Sequence, residues 1–577
     1  MRRPAILALS LCVLAAVAWF WSTWRGAHHA ERDGYTNPTR QRGSGPFDFT
    51  NIGPQSGLDF TYFRGETGKY WITETTGGGV ALVDFDSDGW LDVVVVDGCA
   101  QPPDPADHTH PPRLFRNQRD GTFAEVTDLA GIAHSGYGQG CYGFDYDNDG
   151  FADLYLTYWG PNALLHNHGD GTYGWPDQPG RPATDAWSTG AVPGDFDRDG
   201  AIDLLVVNYL EFDPRNVPIC GDPRTAVHSY CGPDSFAPTP SVLLRNLGDG
   251  SFEDVSRTAG IVLPDGSARP HAKGLGAVAG DFNGDGWLDI YVANDLEPNF
   301  LFLNRTADSG GVMRFEEAAV TQGAATSLDG VAQDSMGVAS GDIDGDGRID
   351  LLVTNFYLEG VTLYRNLGVQ GFVDGTRAAG LLVPTRPVLG WGAGFFDFDN
   401  DGQLDLFTAN GHVQSEPGPG ISYAMPAQLF RNESGGRFRE VLEGGGEYFD
   451  RVWNGRGAAF GDLDNDGDID IVVVHHHQPM ALLRNDAGNR NGWIRVTVVG
   501  KRSDRDAVGA HVRMIDPQSA VREVGAAGSY LSSNDIRLLF GLGTGSAPAT
   551  IELRWPSGAT RKLERIESRR DVVVYEP

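Results

Sequence analysis

Acidic residues recur in this chain in one fixed arrangement, D-x-[DN]-x-D-G-x-x-D. The arrangement suits a hard cation. Carboxylates at positions 1, 3 and 5 fall on one side of a tight turn, and Gly at position 6 permits the bend. The carbonyl of position 7 adds an oxygen, and Asp at position 9 returns as a bidentate ligand. Six or seven hard oxygen donors around one point select Ca²⁺. Without a cation, four clustered carboxylates repel one another. The pattern occurs seven times. The expected ligand sets are Asp84, Asp86, Asp88 and Asp92; Asp145, Asp147, Asp149 and Asp153; Asp195, Asp197, Asp199 and Asp203; Asp281, Asn283, Asp285 and Asp289; Asp342, Asp344, Asp346 and Asp350; Asp397, Asp399, Asp401 and Asp405; and Asp462, Asp464, Asp466 and Asp470. The fourth set carries one charge less, at Asn283, and the seventh has an additional Asp468 at position 7. Up to seven Ca²⁺ ions are expected. They would take the formal net charge from −32 to −18. The EF-hand loop begins in the same way but needs Glu at position 12. Here that position holds Val95, Leu156, Val206, Val292, Val353, Thr408 and Val473, so an EF-hand is excluded.

The elements that must carry these loops follow from the spacing. Successive loops start 61, 50, 86, 61, 55 and 65 residues apart. A Gly-rich segment precedes each loop, and a continuous apolar run such as Val93 to Val96 follows it. Such runs suit strands buried on both faces. A second short strand comes next, as in LFRN (Leu114 to Asn117), then a tight turn and a third strand containing Phe. Strand, turn and strand at a period near 60 residues read as the blades of a propeller. The seventh repeat lacks its last strand, and the segment from Phe47 to Phe60 resembles that missing tail. The N-terminal segment is therefore expected to complete the last blade and cover an open strand edge. The expected fold class is all-β, a seven-bladed propeller over residues 47–490 with a small C-terminal β domain over 491–577.

The repeats resemble the FG-GAP/VCBS repeats of integrin-like propellers. GDFNGDGWLDIYVANDLEPNFLFLN (Gly280 to Asn304), FTANGHV (Phe407 to Val413) and YCGP (Tyr230 to Pro233) are similar to segments of the bacterial cartilage-acidic-protein-like family. AVGAHVRM (Ala507 to Met514), REVGAAGSYLSSND (Arg522 to Asp535), LLFGLG (Leu538 to Gly543) and IELRWPSG (Ile551 to Gly558) resemble the ASPIC/UnbV domain. The resemblance implies a secreted or surface calcium-binding protein and supplies no defined ligand.

Composition bounds the rest. The 577 residues include 78 Gly and 33 Pro, a turn-rich composition. A net charge of −32 disfavours nucleic acid, whose phosphates need clustered Lys and Arg. Arg2 and Arg3 precede an apolar stretch, so residues 1–26 read as a cleaved signal peptide or a retained membrane anchor through residues 4–24. Residues 27–46 read as a linker. Either export reading places the chain outside the cytoplasm, in an oxidising compartment. Cys220 and Cys231 bracket one Pro/Gly-rich loop and are expected to bond; Cys99 and Cys141 are then the remaining pair.

No G-x-S-x-G, H-E-x-x-H or Walker A motif is present, and the G-x-G-x-x-G at Gly138 to Gly143 opens no helix. His475, His476 and His477 read as a polar loop cluster after a strand. His108 and His110 read as surface residues, and Asn410-Gly411-His412 as either a ligand-facing motif on the propeller face or a structural turn after the strand. The chain is therefore expected to be no enzyme but an adhesion or binding module for an extracellular protein or glycan, shaped by the insertions at Gln101 to Pro112 and Glu211 to Pro240. The alternative is a hydrolase or lyase acting on extracellular polymers from the propeller face.

Overall fold

Each apolar run after an Asp loop forms the second strand of a four-stranded antiparallel sheet. These are Asp92–Val95, Asp153–Pro161, Asp203–Asn208, Asp289–Asn294, Asp350–Val353, Asp405–Asn410 and Asp470–His475. The Asp loop is the hairpin that joins each run to the strand before it, for example Val80–Val83 in the first blade and Gly455–Gly461 in the seventh. The computed structural model describes residues 47–104, 106–134, 136–176, 184–222, 227–418, 420–545 and 547–577. The expected signal or anchor and the linker after it lie outside these residues. No helix among them is long and apolar enough to cross a membrane.

The seven sheets form a seven-bladed propeller. The first strands contact one another around the ring, so they line its centre. The ring closes as the incomplete last repeat requires. Phe49–Asn51 pairs antiparallel with Ala481–Asn485 and supplies the fourth strand of blade seven. Phe49 is buried against Phe398 and Phe449, with ring centroids 5.5 and 6.0 Å away. Blades two and three are also tied to each other, because Asp185–Trp187 pairs with Trp159–Pro161.

The C-terminal region is a two-sheet sandwich. Gly492–Val499 lies between Leu538–Gly543 and Arg570–Tyr575. The second sheet runs Ala520–Glu523, His511–Asp516, Ala549–Arg554, Thr560–Ile566. Ile494, Val512, Met514, Phe540, Ile551 and Trp555 fill the space between them.

One segment of this sandwich, residues 526–535, runs into the centre of the ring. Ser529 and Val338 exchange backbone hydrogen bonds of 2.7 and 2.8 Å. The Cys141 N–H donates to the Leu531 carbonyl, Ser533 N–H to Val80, and Asp535 N–H to Phe460. Tyr530 is fully buried against Trp391. The segment thus bonds to blades one, two, five and seven. Side chains on the ring would exclude it: a Cβ at Gly79 would lie 2.2 Å from the Leu531 carbonyl oxygen.

Cys220 and Cys231 are bonded, with Cα atoms 5.2 Å apart. Cys99 and Cys141 are not: both are buried free thiols. Cys141 packs in the apolar layer between blades one and two, whereas the Cys99 backbone is held in a loop against Gly65. Parity suggested that pair, and the separate packing of the two residues overrides it.

Candidate metal centres

The seven loops share one geometry. The position-1 carboxylate accepts the N–H of the position-6 glycine, at 2.9 Å in the first loop and 2.8 Å in the second. That glycine is left-handed in every copy, with φ between 87° and 99°. Position 4 is left-handed too: Ser87, Asn148, Arg198, Gly284, Gly345, Asn400 and Asn465 all have positive φ. The run of Gly and Asn at that position was a readable signal for a second tight bend. The position-9 carboxylate is fully buried in every blade. One of its oxygens accepts the N–H of position 2, and the other accepts the N–H of an Asn on the third strand, as Asp92 does from Phe85 and Asn117.

These bonds bring the carboxylates together. In the sets Asp84/Asp86/Asp92, Asp145/Asp147/Asp149, Asp195/Asp197/Asp199 and Asp342/Asp344/Asp346, three oxygens lie within 4.8 Å of one another. Burial raises Asp92, Asp145 and Asp397 to about 8 and Asp195 to about 7, and neighbouring carboxylates push the same way. Buried oxygens of Asp86, Asp281, Asp397, Asp464 and Asp468 have no hydrogen-bond partner. An all-oxygen donor set with orphaned buried carboxylates fits a hard divalent cation such as Ca²⁺.

A basic residue flanks most of the loops from the third strand. Arg116 reaches Asp86, His166 lies 3.4 Å from Asp147, and Arg245 reaches Asp197. Arg365 pairs with Asp344 and Arg431 with Asp399, while the Arg484 charge acts on Asp464. Blade four is the exception on both sides. It has Leu303 in place of the basic residue and neutral Asn283 in place of the aspartate.

The residue after that basic position joins the blades and was not singled out from the sequence. Asn117 Nδ2 donates to Leu91 O in its own loop and to Leu463 O in blade seven. Asn167, Asn246, Asn304, Asn366 and Asn432 repeat this pair of bonds, each to its own loop and to position 2 of the preceding one. Asn485 makes the bond to the preceding loop at Phe398 O. The signal was the invariant Asn within the chain's own repeats, in LFRN and its copies.

The histidines divide. His475 is buried, with Nδ1 2.6 Å from the Pro479 carbonyl and Nε2 2.9 Å from the Tyr448 hydroxyl. His476 is buried and stacked on Tyr62, with ring centroids 5.0 Å apart. These two belong to the packed interior rather than to a polar loop, because the strand runs on to His475 and the turn tucks His476 beneath it. Only His477 is exposed to solvent. It approaches Arg64 Nη1 at 2.6 Å and Glu66 at 3.1 Å. Arg64 also donates to the Tyr423 and Tyr230 hydroxyls, and Tyr230 donates to Glu74. His412 is buried in a turn, where its Nδ1 accepts the Gln414 N–H; burial lowers its pKa to about 4. His108 is exposed, and His110 is half-buried on Phe63.

Two family descriptions match the chain. The FG-GAP-like repeat covers residues 84–156, 145–206, 233–292, 281–353 and 342–408, which takes in the first six loops; "ASPIC and UnbV" covers 500–577. Cartilage acidic protein 1 of Homo sapiens is 29% identical over 345 residues, covering 57% of this chain and 46% of the relative. The Mus musculus protein is 28% identical over 345 residues, covering 57% and 48%. The chain spans about half the length of the curated relatives it matches. Among solved structures, a lectin of Agrocybe aegerita aligns with a TM-score of 0.36 and 16% identity, covering 72% of this chain and 94% of the lectin.

Proposed function

The chain belongs to the FG-GAP-like repeat family and carries an ASPIC/UnbV domain, and from that premise we propose that it is an extracytoplasmic, non-enzymatic binding module whose blades hold structural Ca²⁺. The observation that carries the calcium reading is the recurrence of buried, partnerless carboxylate oxygens in an in-phase set of loops. Cation charge would remove the repulsion that burial and proximity impose on these groups. Extracellular calcium is concentrated enough to fill sites with dissociation constants of about 10⁻⁴–10⁻³ M at least in part. Binding on the face away from the loops is supported by the two insertions gathered there. An extracellular protein or glycan is the expected partner, and residues 4–24 the means of any membrane attachment.

The test is calcium removal. Chelator is expected to lower the melting temperature by more than ten degrees, with recovery on adding Ca²⁺ but not Mg²⁺. An unchanged melting curve would overturn structural calcium. Screening of the calcium-loaded protein on protein and glycan arrays tests the binding role.

A second reading, a hydrolase or lyase acting on extracellular polymers, draws on the cluster of Arg64, Glu74, Tyr230, Tyr423 and His477 outside the loops. New reducing ends from a polysaccharide panel, abolished by His477→Ala, would establish it in place of the first.

A further inference from the structure

The insertion closed by Cys220 and Cys231 does more than lengthen a loop. With the paired strand ends of blades two and three it walls a cavity of about 590 Å³. Trp159, Trp187, Phe212 and Phe236 form one side of it. The rings hold each other in place. Phe212 lies 5.1 Å from Trp159, 6.0 Å from Trp187 and 5.8 Å from Phe236, centroid to centroid. Trp187 is anchored beneath by Tyr209 at 5.0 Å. Trp159 and Phe212 are half-buried, so they keep an open surface.

The charged groups among the described lining residues have one sign. Asp185 and Glu211 are exposed at the rim, and neither has an ion-pair partner among the described residues. Asp213, the third acid, is taken by Arg215 at 2.9 Å. No Lys, Arg or His is among the described residues that line the cavity. The Trp187 indole N–H is buried and has no acceptor. A buried donor without a partner is uncommon in a native protein.

These features sort ligands by chemistry. Bare carboxylates reject anions. A hydrocarbon would desolvate the rim acids without giving them a hydrogen-bond donor, at a cost. A quaternary ammonium would face the rings but, lacking an N–H, makes no hydrogen bond to either carboxylate. A neutral pyranose suits both: its C–H face stacks on an aromatic ring and its hydroxyls donate to the carboxylates.

We propose that the cavity between blades two and three, walled by insertion residues on either side of the Cys220–Cys231 disulfide, binds a neutral glycan, with Trp159 and Phe212 as the stacking platform and Asp185 and Glu211 as hydroxyl acceptors. The proposal rests on the binding-module reading and gives it a site and a ligand class.

The experiment uses the intact calcium-loaded protein. Tryptophan fluorescence is titrated with maltose, cellobiose and lactose, and separately with choline; the same protein is applied to a neutral glycan array. At least one neutral saccharide is expected to give a saturable change. Trp159→Ala and the milder Glu211→Gln are each expected to weaken it at least tenfold, Glu211→Gln with the melting temperature unchanged. A response to choline and to no saccharide would replace the glycan with a cation. Array binding that survives both substitutions would sink the site and leave the binding module standing. If no saccharide binds while a protein partner does, the glycan proposal alone fails. If nothing binds at all, both fail.

Discussion

At the scale of single residues, the stability of this propeller is concentrated in side chains that serve the backbone. Asn366 is the example. Its Nδ2 donates to Phe282 O in the preceding loop and Ile349 O in its own, and its Oδ1 accepts the Gly368 N–H. Asn366→Ala would strand two buried carbonyls and one N–H, so a loss of about 2–4 kcal/mol is expected. Chemical denaturation would measure it, and a loss under about 0.5 kcal/mol would place it with neutral surface changes. Glu576 does similar work in the sandwich. Burial alone would raise its pKa, but the Ser557 hydroxyl and the N–H groups of Lys501, Arg502 and Ser503 outweigh that and hold it at about 2. A carboxyl depressed in the folded state contributes stability above its unfolded pKa, about 4.3, and loses it as pH falls through the folded value. Glu576→Gln is therefore expected to cost about 2 kcal/mol at pH 7 and progressively less toward pH 2. Thermal melts of both proteins at pH 7 and pH 3 would show the gap closing; a gap independent of pH would assign the effect to packing.

At the scale of elements, the ring depends on a strand from the opposite end of the chain. Phe49–Asn51 hydrogen-bonds to Ala481–Asn485, Ile52 N–H donates to Leu482, and Met480 N–H donates to Phe60. Deleting residues 47–60 would bare the edge of blade seven and leave the Phe398 and Phe449 rings half-covered. The expected result is a large fall in melting temperature with aggregation, read by calorimetry and light scattering; an unchanged melt would show that closure is dispensable. This strand was legible because its F-x-x-x tail completes a repeat counted six other times. The Asp loops were legible for the same reason: a repeated turn reports its own geometry. The ring plug at residues 526–535 was not. Ala, Gly and Ser in that run carry no periodic signature, and its hydrogen-bond partners lie in other blades, from Phe460 back to Val80. Cys99 and Cys141 show the same limit, since an even count of thiols says nothing of which side chains meet. The burial of His475 and His476 was not legible, because it depends on contacts from other segments: the Tyr448 hydroxyl at His475 and the Tyr62 ring on His476.

At the scale of the whole molecule, two bodies of opposite charge character are fastened at the loop face. Residues 491–577 hold thirteen Lys and Arg against ten Asp and Glu, in a chain of net charge −32. Arg495 pairs with Asp462 at 2.7 Å, Arg554 with Asp281 at 3.2 Å, and Arg537 donates to the Asp462 carbonyl. Asp506 accepts the N–H of Asp145, so the contact also reads loop backbone. The plug then reaches past this face into the ring. A propeller deprived of the sandwich would lose the partners of Val80, Cys141, Val338 and Phe460 at its centre, and buried backbone groups without partners are costly. It would also leave loop aspartates without the arginines that offset their charge. The intact protein is therefore expected to unfold in a single calorimetric transition, with the sandwich and the ring melting together. A chain ending at residue 491 is expected to melt well below it and to show a steeper dependence on calcium, because the cation alone must then balance the loops. Two separable transitions in the intact protein, or a truncated ring as stable as the whole, would show that the sandwich rests on the propeller without supporting it.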